Sequence, residues 1–347
     1  MGNAAMRSHS TNILAAYSEL LQRLQDDELL YLGGNPICRR KGGRDYWYTV
    51  THVGRKQVER YLGPDSEAMR RRVEILKQQK QDLKLREKER GRLVRMLREA
   101  GLPGPDMLTG KTLSALSRAG LFRLRTVLVG THAFRCYPAM LGVDLAETSA
   151  TTDDIDLAQF QPVSVAIDDH IDPKIQDALA AVGRFEERVS LYPGRPTAWR
   201  EALSGTSVEI LTPNQGPDSD EPVMLPALGV HAQPLRFLDY LIHDPAPAAL
   251  LYRYGVLVQV PRPARYAVHK LIVATRRRAG LEAKAQKDIR QAAELIEVLA
   301  EVSPDELEDA LAEASGRGPT WAQALQAGAR RLPDKVKAAL SGLTAGK

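Results

Sequence analysis

The chain has 347 residues, of which 44% are hydrophobic, 26% charged and 5% aromatic. This ordinary globular composition excludes a collagen-like, mucin-like or disordered chain and a disulfide-built scaffold, and the length predicts roughly two or three domains. The net charge of +5 is unevenly distributed, because residues 1–100 contain 21 Lys and Arg against 13 Asp and Glu. A basic front therefore precedes a near-neutral body.

Cysteine usage and hydropathy predict the compartment. Cys38 and Cys136 lie far apart and have no CxxC spacing. A disulfide framework and a zinc ribbon are therefore unsupported, and the reducing cytoplasm is predicted. Asp26, Asp27 and Glu28 interrupt the first 30 residues, which excludes the apolar core of a signal peptide. Because no stretch reaches about 18 uncharged apolar residues, we expect no membrane span.

The basic front begins with a helix, predicted over residues 10–32 from apolar residues three and four apart. Tyr46, Tyr48 and Val50 then alternate as in a strand, and residues 58–62 continue as its partner. The candidate nucleic-acid contacts on this sheet are Arg39, Arg40, Lys41, Arg44, Trp47, Arg55 and Lys56. Either these cations bind a nucleic-acid backbone while aromatic rings stack on bases, or the rings pack the sheet onto the body and the charges aid solubility.

A long charged helix is predicted over residues 66–99, with Ser66 as a good N-cap. Its apolar residues keep three-four spacing, but Lys80, Glu87 and Arg90 interrupt the stripe. The interrupted stripe therefore does not predict a coiled coil. We expect this helix to act as a spacer or to bind a protein partner.

From residue 125 the pattern changes to short strands followed by helices. The predicted strands are 126–129, 154–157, 163–167, 187–191 and 207–211, with a hairpin of 250–252 and 256–260. The predicted helices are 112–119, 263–278 and 284–301, with an acidic helix after a capping box at Ser303. This order predicts an α/β or α+β body with a helical C-terminal subdomain. The predicted domains are 1–65, 66–120, 121–262 and 263–347.

Asp154 and Asp156 carry the strongest chemical signal, because they lie two positions apart in a predicted strand. Side chains alternate along a strand, so both carboxylates lie on one face while Ile155 and Leu157 point into the core. Two like charges this close repel each other, and a divalent cation between them relieves the repulsion. Mg²⁺ prefers carboxylate oxygens and completes its shell with waters and phosphates. The pair therefore predicts a Mg²⁺ site.

Two further features belong with this pair. Gly130 and Thr131 end the preceding strand, and a Gly there lets backbone N–H groups approach a phosphate closely. Glu209 lies between Val208 and Ile210 in a later strand, from which it can face the same metal. Three carboxylates and a phosphate-holding turn are the parts of a two-metal site for phosphoryl or nucleotidyl transfer.

This order of motifs resembles the nucleotidyltransferase superfamily that includes DNA polymerase β. That superfamily carries a Gly-Gly or Gly-Ser turn, then Asp-hydrophobic-Asp, then a third acid on a later strand. The counterparts here are Gly130-Thr131, Asp154-Ile155-Asp156 and Glu209, and the run from Glu147 to Asp156 is similar to one in the polymerase itself. More closely, the chain resembles an uncharacterised bacterial family of nucleotidyltransferase-fold proteins over about residues 10–300. The stretches that carry this likeness are 44–48, 61–64, 265–273 and 287–292.

The chain departs from the superfamily pattern at three points. Thr131 stands where Ser or Gly is usual, although it still offers a hydroxyl group. Asp154 follows Gly130 by 24 residues, which is more than in the commonest members, so an insertion must lie between the turn and the acidic pair. The third acid, Glu209, is a glutamate where aspartate is usual.

The resemblance implies an α+β fold, in which a nucleotidyltransferase mixed β-sheet core carries a helical C-terminal subdomain and a small basic N-terminal module of helix and sheet. It implies transfer of an NMP group from an NTP to an acceptor hydroxyl, with release of pyrophosphate. Asp154, Asp156 and Glu209 are then the catalytic residues and hold Mg²⁺, or Mn²⁺ as the alternative metal. The implied nucleotide contacts are Gly130, Thr131, Lys270 and Lys287, with Lys284 as a further candidate.

The acceptor remains open between an RNA end, a protein hydroxyl and a small molecule, and three hypotheses cover the function of the chain. The basic front favours an RNA end, such as that of a tRNA, and a distant resemblance to toxin-type bacterial nucleotidyltransferases points the same way. A protein-modifying transferase would use helix 66–99 to hold its partner. A non-catalytic nucleic-acid-binding protein could retain the fold, but the intact pair of Asp154 and Asp156 argues against it.

Two other signals carry less weight. The run from Gly104 to Thr112 looks like a P-loop, but its spacing is one residue too long and no predicted strand precedes it. His132 follows the Gly-Thr turn and either contacts substrate or packs inside the fold, and the packing role is the favoured one.

Overall fold

The basic front contains a three-stranded antiparallel sheet, in which β2 (Arg44–Val53) lies between β1 (Asn35–Lys41) and β3 (Lys56–Pro64). The sequence predicted β2 and β3 but missed β1. This strand is polar and does not alternate, so only its backbone pairing with β2 defines it. The computed structural model describes residues 8–30, 35–41, 43–53, 56–146, 153–166, 169–277 and 280–345.

The two long front helices are α1 (Thr11–Leu30) and α2 (Glu67–Glu99). The Ser66 hydroxyl accepts a hydrogen bond from the backbone N–H of Met69 at 3.2 Å, which confirms the predicted cap. Arg90, which interrupts the apolar stripe of α2, is buried and ion-paired with Asp27. The two helices share a hydrophobic cluster with the body of the protein, and its buried residues include Leu20, Leu24, Val94, Leu97, Leu251 and Leu257. Both helices therefore pack on the body of the protein.

The body is built on a mixed sheet. Strand β5 (Asp154–Ala158) pairs antiparallel with β4 (Val127–Val129) on one side and parallel with β8 (Ser207–Pro213) on the other. The remaining strands are β6 (Phe185–Glu187), β7 (Ala198–Glu201), β9 (Val223–Leu225) and β10 (Val230–Leu235), with a separate hairpin of β11 (Ala246–Leu250) and β12 (Val256–Val260). The strand order is β4-β5-β8-β10-β9, with β7 also paired with β8 and β6 paired with β7, so the acidic strand β5 lies inside the sheet.

Helices cover the sheet and form the C-terminal part of the chain. After α2 they are α3 (Met107–Arg118), α4 (Gly130–Phe134), α5 (Tyr137–Leu141), α6 (Gln161–Ala166), α7 (Ile175–Ala180), α8 (Leu238–Leu241), α9 (Pro263–Ala274), α10 (Glu282–Val302), α11 (Pro304–Gly316), α12 (Pro319–Ala329) and α13 (Asp334–Ala345). The mixed sheet and this helical end confirm the predicted α+β fold. Within the described part of the chain, no helix is long and apolar enough to cross a membrane.

Several local predictions are wrong. A strand was predicted over 163–167, but residues 163–166 lie in helix α6 and residue 167 lies outside the described residues. Pro162 stands in the first turn of α6, and the Ser164 hydroxyl accepts a hydrogen bond from the backbone N–H of Ala227 at 3.0 Å. Of residues 187–191, only Glu187 is in a strand. The first hairpin strand ends at Leu250. Helix α11 follows Ser303, but the Ser303 side chain makes no capping hydrogen bond.

Candidate active site

The two predicted aspartates lie at the start of β5. Asp154 is exposed and Asp156 is half-buried, whereas Ile155 and Leu157 on the other face are fully buried. The strand alternation predicted from the sequence is therefore present. The side chains of Asp154 and Asp156 therefore lie on one face of β5, and those of Ile155 and Leu157 pack in the core on the other face.

Glu209 lies directly beside Asp156 on the neighbouring strand. The parallel register of β5 and β8 pairs Asp156 with Glu209 and Asp154 with Ser207. The Ser207 hydroxyl donates a hydrogen bond to Asp154 Oδ1 at 2.6 Å. The Glu209 carboxylate forms an ion pair with Arg188, which follows β6. The sheet thus brings the three predicted acids together, and it adds an arginine that the sequence did not suggest.

The electrostatics of this cluster are unfavourable without a cation. Burial, the Glu209 carboxylate and the Asp154 carboxylate together raise the pKa of Asp156 to about 6, although Lys270 and Lys284 act in the opposite direction. A carboxyl group that is partly desolvated beside two like charges disfavours its ionised form. A divalent cation at this point would supply the missing positive charge.

The donor set fits Mg²⁺ through its two aspartates. Mg²⁺ is usually bound by one or two carboxylates together with waters and substrate phosphates, so a closed cage of protein ligands is not required. Among the described residues no group of three or more His, Cys, Asp and Glu side chains is arranged to hold a metal ion. The third carboxylate, that of Glu209, is engaged in the ion pair with Arg188. Asp154 and Asp156 are accordingly the residues that could hold the metal.

Gly130 connects β4 to α4 and contacts the acidic pair. Its φ of +66° lies in the left-handed region, which favours glycine. A Cβ at this position would overlap Oδ2 of Asp156. Glycine is therefore needed twice, once for the backbone turn and once for the space that the Asp156 carboxylate occupies.

Helices α9 and α10 hold this turn from the C-terminal side. Lys287 Nζ donates a hydrogen bond to Thr131 Oγ1 at 3.1 Å, and the Tyr266 hydroxyl donates to the Gly130 carbonyl at 3.0 Å. The side-chain amide of Gln291 lies 3.1 Å from the same hydroxyl. Sequence reasoning did not assign Tyr266 or Gln291 a role; the available signal was their position in the two stretches that carry the family likeness.

The three candidate lysines occupy different positions. Lys287 contacts the turn, as described above. Lys270 is instead engaged with Asp288, to which its Nζ donates at 2.6 Å, and Arg277 donates to the same carboxylate at 2.9 Å. Lys284 is exposed one turn before Lys287, on the side that faces Asp156. Of these lysines, Lys287 contacts the turn and Lys284 adds positive potential, while Lys270 ties α9 to α10.

We expect Asp288→Asn to lower the free energy of unfolding by about 3 kcal/mol, because it leaves two cations near a buried site without their counter-ion. The Asp288 side chain is only 4% exposed. Burial raises the pKa of Asp288, but Lys270 and Arg277 outweigh it, so the net pKa is lowered. The carboxylate therefore stabilises the fold above the ordinary Asp pKa, and this contribution is lost as pH falls through the lowered pKa.

Urea unfolding at pH 7 measures the effect of Asp288→Asn, with Asp309→Asn on the exposed face of α11 as the matched control. The control is expected to change the free energy of unfolding by less than about 0.5 kcal/mol. Equal stability of the two variants would show that the ion pairs of Asp288 do not stabilise the contact between α9 and α10.

His132 is fully buried behind the turn, and neither ring nitrogen has a hydrogen-bond partner among the described residues. Burial lowers the pKa of His132 to about 4, and Arg135 adds to this effect. The ring is therefore neutral at pH 7. This environment favours the packing role of His132.

The predicted nucleic-acid contacts of the front sheet are only partly described. Arg39, Arg40 and Arg44 are exposed. The Trp47 indole donates to Asp65 at 2.8 Å, and Lys77 Nζ lies 5.7 Å from the centre of its ring. Trp47 thus joins the sheet to the start of α2. Arg55, together with the side chains of Lys41 and Lys56, lies outside the described residues.

On this mixed sheet a glycine turn lies against a strand-borne aspartate pair that has a glutamate beside it. The chain belongs to a nucleotidyltransferase family, whose model matches residues 107–316. A domain of unknown function matches residues 12–71. An antigenic nucleotidyltransferase-like protein from Paracoccidioides brasiliensis, known from a crystal structure, is 18% identical; the match covers 65% of this chain and 94% of that one, with a TM-score of 0.32. No curated protein matches the chain.

Proposed function

We propose that this protein transfers an NMP group from an NTP to an acceptor hydroxyl in a Mg²⁺-dependent reaction. The observation that carries the proposal is the contact between the Gly130 turn and the Asp156 carboxylate, which places the candidate phosphate-binding turn against the candidate metal ligands. Membership of a nucleotidyltransferase family supports the same reaction class.

Asp154 and Asp156 would hold Mg²⁺, with Mn²⁺ as the alternative. The metal, when bound, supplies charge neutralisation at the triphosphate. Thr131 and Lys287 would orient the triphosphate, because the lysine provides a positive charge next to the Thr131 hydroxyl. Tyr266 fixes the Gly130 carbonyl, so the turn is held in one geometry before the substrate binds.

In the proposed step the acceptor oxygen forms a bond to the α-phosphorus while the bond from that phosphorus to the bridging oxygen breaks. Pyrophosphate leaves with the electron pair, and the acceptor proton passes to the Glu209 carboxylate. Glu209 would take this proton only after its ion pair with the partly exposed Arg188 opens. Most of the rate enhancement then comes from positioning and electrostatics.

We propose RNA as the acceptor, which the basic front favours. Arg39, Arg40 and Arg44 are exposed along β1 and β2 and support contacts to a phosphate backbone. The test incubates the protein with Mg²⁺, each of the four α-labelled NTPs and either total RNA or cell protein. Label in RNA is the expected result, whereas label in protein alone would favour a protein-modifying transferase. Absence of label in both fractions would contradict NMP transfer to RNA or protein.

A double-mutant cycle on Thr131 and Lys287 tests whether their hydrogen bond serves catalysis. We expect Thr131→Val and Lys287→Met each to lower kcat/KM by about tenfold, and the double variant to lose little more, because each single change already breaks the bond. Thr131→Ser keeps the hydroxyl and is expected to remain within about threefold of wild type. Fully additive losses would show that the two side chains act independently.

A further inference from the structure

A cavity of about 440 Å³ lies between the N-terminal helices and the hairpin of β11 and β12, and its size is typical of small-molecule sites. Helices α1, α2 and α3 and the hairpin turn form its wall. Gly120 and Arg123 of this wall precede β4, whereas Gly130 follows it. Strand β12 likewise begins in the cavity wall. Its other end precedes α9, the helix whose Tyr266 contacts Gly130. The cavity therefore lies at the other end of these strands from Asp154 and Asp156.

One wall of the cavity is a single face of α3. Lys111, Ser114, Ala115 and Arg118 are spaced by three, four and seven positions, which places them on one side of a helix. Lys111 and Arg118 are exposed, and within the described part of the chain neither forms an ion pair. Their Cα atoms are separated by about 10 Å along the helix axis, a distance that two long side chains can bridge.

The opposite wall adds a third cation from the hairpin turn. Arg253 is exposed and has a φ of +51°, a left-handed conformation that is uncommon for residues other than glycine. Its guanidinium lies 5.5 Å from the ring of Tyr252. The whole wall holds five cationic and two acidic side chains. Arg90 is paired with Asp27 and Arg123 with Asp169, so Lys111, Arg118 and Arg253 face one remaining acid of the wall, Glu87, and leave a surplus of positive charge.

Tyr252 is the aromatic residue of this wall next to Arg253 and α3. Its ring packs on Gly110 of α3, where a Cβ would overlap it. Its hydroxyl is buried and has no hydrogen-bond partner among the described residues, which is an unfavourable state for a buried polar group. Apolar side chains complete the wall, among them Leu24, Val182 and Leu257. An aromatic ring with an attached anion would match both parts of the cavity.

We propose that this cavity binds a nucleoside mono- or diphosphate, as a second site separate from the acidic pair. The phosphates would lie between Lys111, Arg118 and Arg253, where charge-assisted hydrogen bonds are available. The base and ribose would lie against Tyr252 and the apolar wall. This binding does not depend on NMP transfer, because none of its residues belongs to the candidate active site.

Isothermal calorimetry with ADP in EDTA tests the proposal on the full chain carrying Asp154→Asn and Asp156→Asn. These two changes and the chelator remove metal-dependent binding at the acidic pair, so the result is independent of the proposed transfer activity. We expect one ADP per chain. Adding Lys111→Gln and Arg118→Gln is expected to weaken ADP binding at least about tenfold, because two charge-assisted contacts are lost. Lys84→Gln with Arg92→Gln, on exposed positions of α2 outside the wall, is the matched control and is expected to bind as the parent.

Three results would overturn this site: no ADP binding up to millimolar concentration, equal weakening by the α2 control, or binding of adenosine as tight as that of ADP. Thermal melting checks that each variant is folded. Arg253→Gln changes the hairpin turn and leaves α3 intact, so it decides the outcome if the α3 variants unfold. Unchanged ADP affinity in a folded Arg253→Gln variant would then contradict the proposal.

Discussion

Replacing either aspartate of β5 with asparagine is expected to reduce NMP transfer by about a hundred- to a thousandfold. Metal ions supply several kcal/mol of transition-state stabilisation, and each 1.36 kcal/mol corresponds to a factor of ten in rate. Asp154→Asn and Asp156→Asn keep the side-chain size but remove the charge that holds the metal. The measurement is the initial rate of α-label transfer at saturating NTP and Mg²⁺.

Asp153→Asn is the matched control for this prediction, because the Asp153 side chain is exposed. Asp153 contacts the sheet through its backbone carbonyl, which accepts a hydrogen bond from the Ser207 N–H at 2.7 Å and is unchanged in the variant. We expect this variant to retain the wild-type rate. Without metal, Asp156→Asn should melt no lower than wild type, since it removes repulsion with Glu209 and Asp154. Mg²⁺ should raise the melting temperature of wild type and not that of Asp156→Asn. Undiminished transfer by Asp156→Asn would contradict the assignment of the metal site.

Gly130→Ala is expected to reduce NMP transfer about as much as the aspartate substitutions do. It is expected to lower the free energy of unfolding by only about 1–2 kcal/mol. The stability loss comes from a non-glycine residue in the left-handed region. The activity loss has a different cause: the new Cβ would overlap Oδ2 of Asp156 and displace that carboxylate. Steady-state kinetics and urea unfolding on the same preparation separate the two effects.

Gly229→Ala provides the matched control, because Gly229 has nearly the same φ, +65° against +66°, and no atom within 4 Å of the added Cβ. It is expected to lose similar stability and to keep its activity. If both variants lost activity equally, backbone strain alone would explain the result, and the contact between the turn and Asp156 would have no catalytic importance.

The acidic pair could be predicted from the sequence because its signal is local. Asp154 and Asp156 alternate with the buried residues Ile155 and Leu157, and strand alternation alone places both carboxylates on one face. Ser66 as a helix cap is local in the same sense. The α+β class followed from the order of the strands and helices, which depends on pattern and not on packing.

The support of the site could not be predicted, because it comes from distant parts of the chain. Tyr266 contacts Gly130 across 136 positions and Lys287 contacts Thr131 across 156. These contacts arise only when α9 and α10 pack on the core. The ion pair of Arg188 with Glu209 likewise depends on the chain that follows β6, where the sequence predicted a continuing strand.

Short-range sequence patterns also gave a wrong prediction for helix α6. Val163 and Val165 favour a strand by propensity, but Pro162 in the first turn and the buried Ser164 fit a helix whose hydroxyl accepts from the backbone of Ala227. Tertiary contacts decide such ambiguous segments, since β-propensity mainly reflects the surface on which a side chain packs.

The most direct test of the central claim is a dual-label reaction. The protein is incubated with Mg²⁺, RNA and an NTP labelled at the α-phosphate in one reaction and at the γ-phosphate in another, beside Asp154→Asn and Asp153→Asn. NMP transfer predicts α-label in RNA, γ-label in released pyrophosphate, and loss of both signals in Asp154→Asn alone. Appearance of γ-label in the acceptor, or equal α-label transfer by Asp154→Asn, would contradict it.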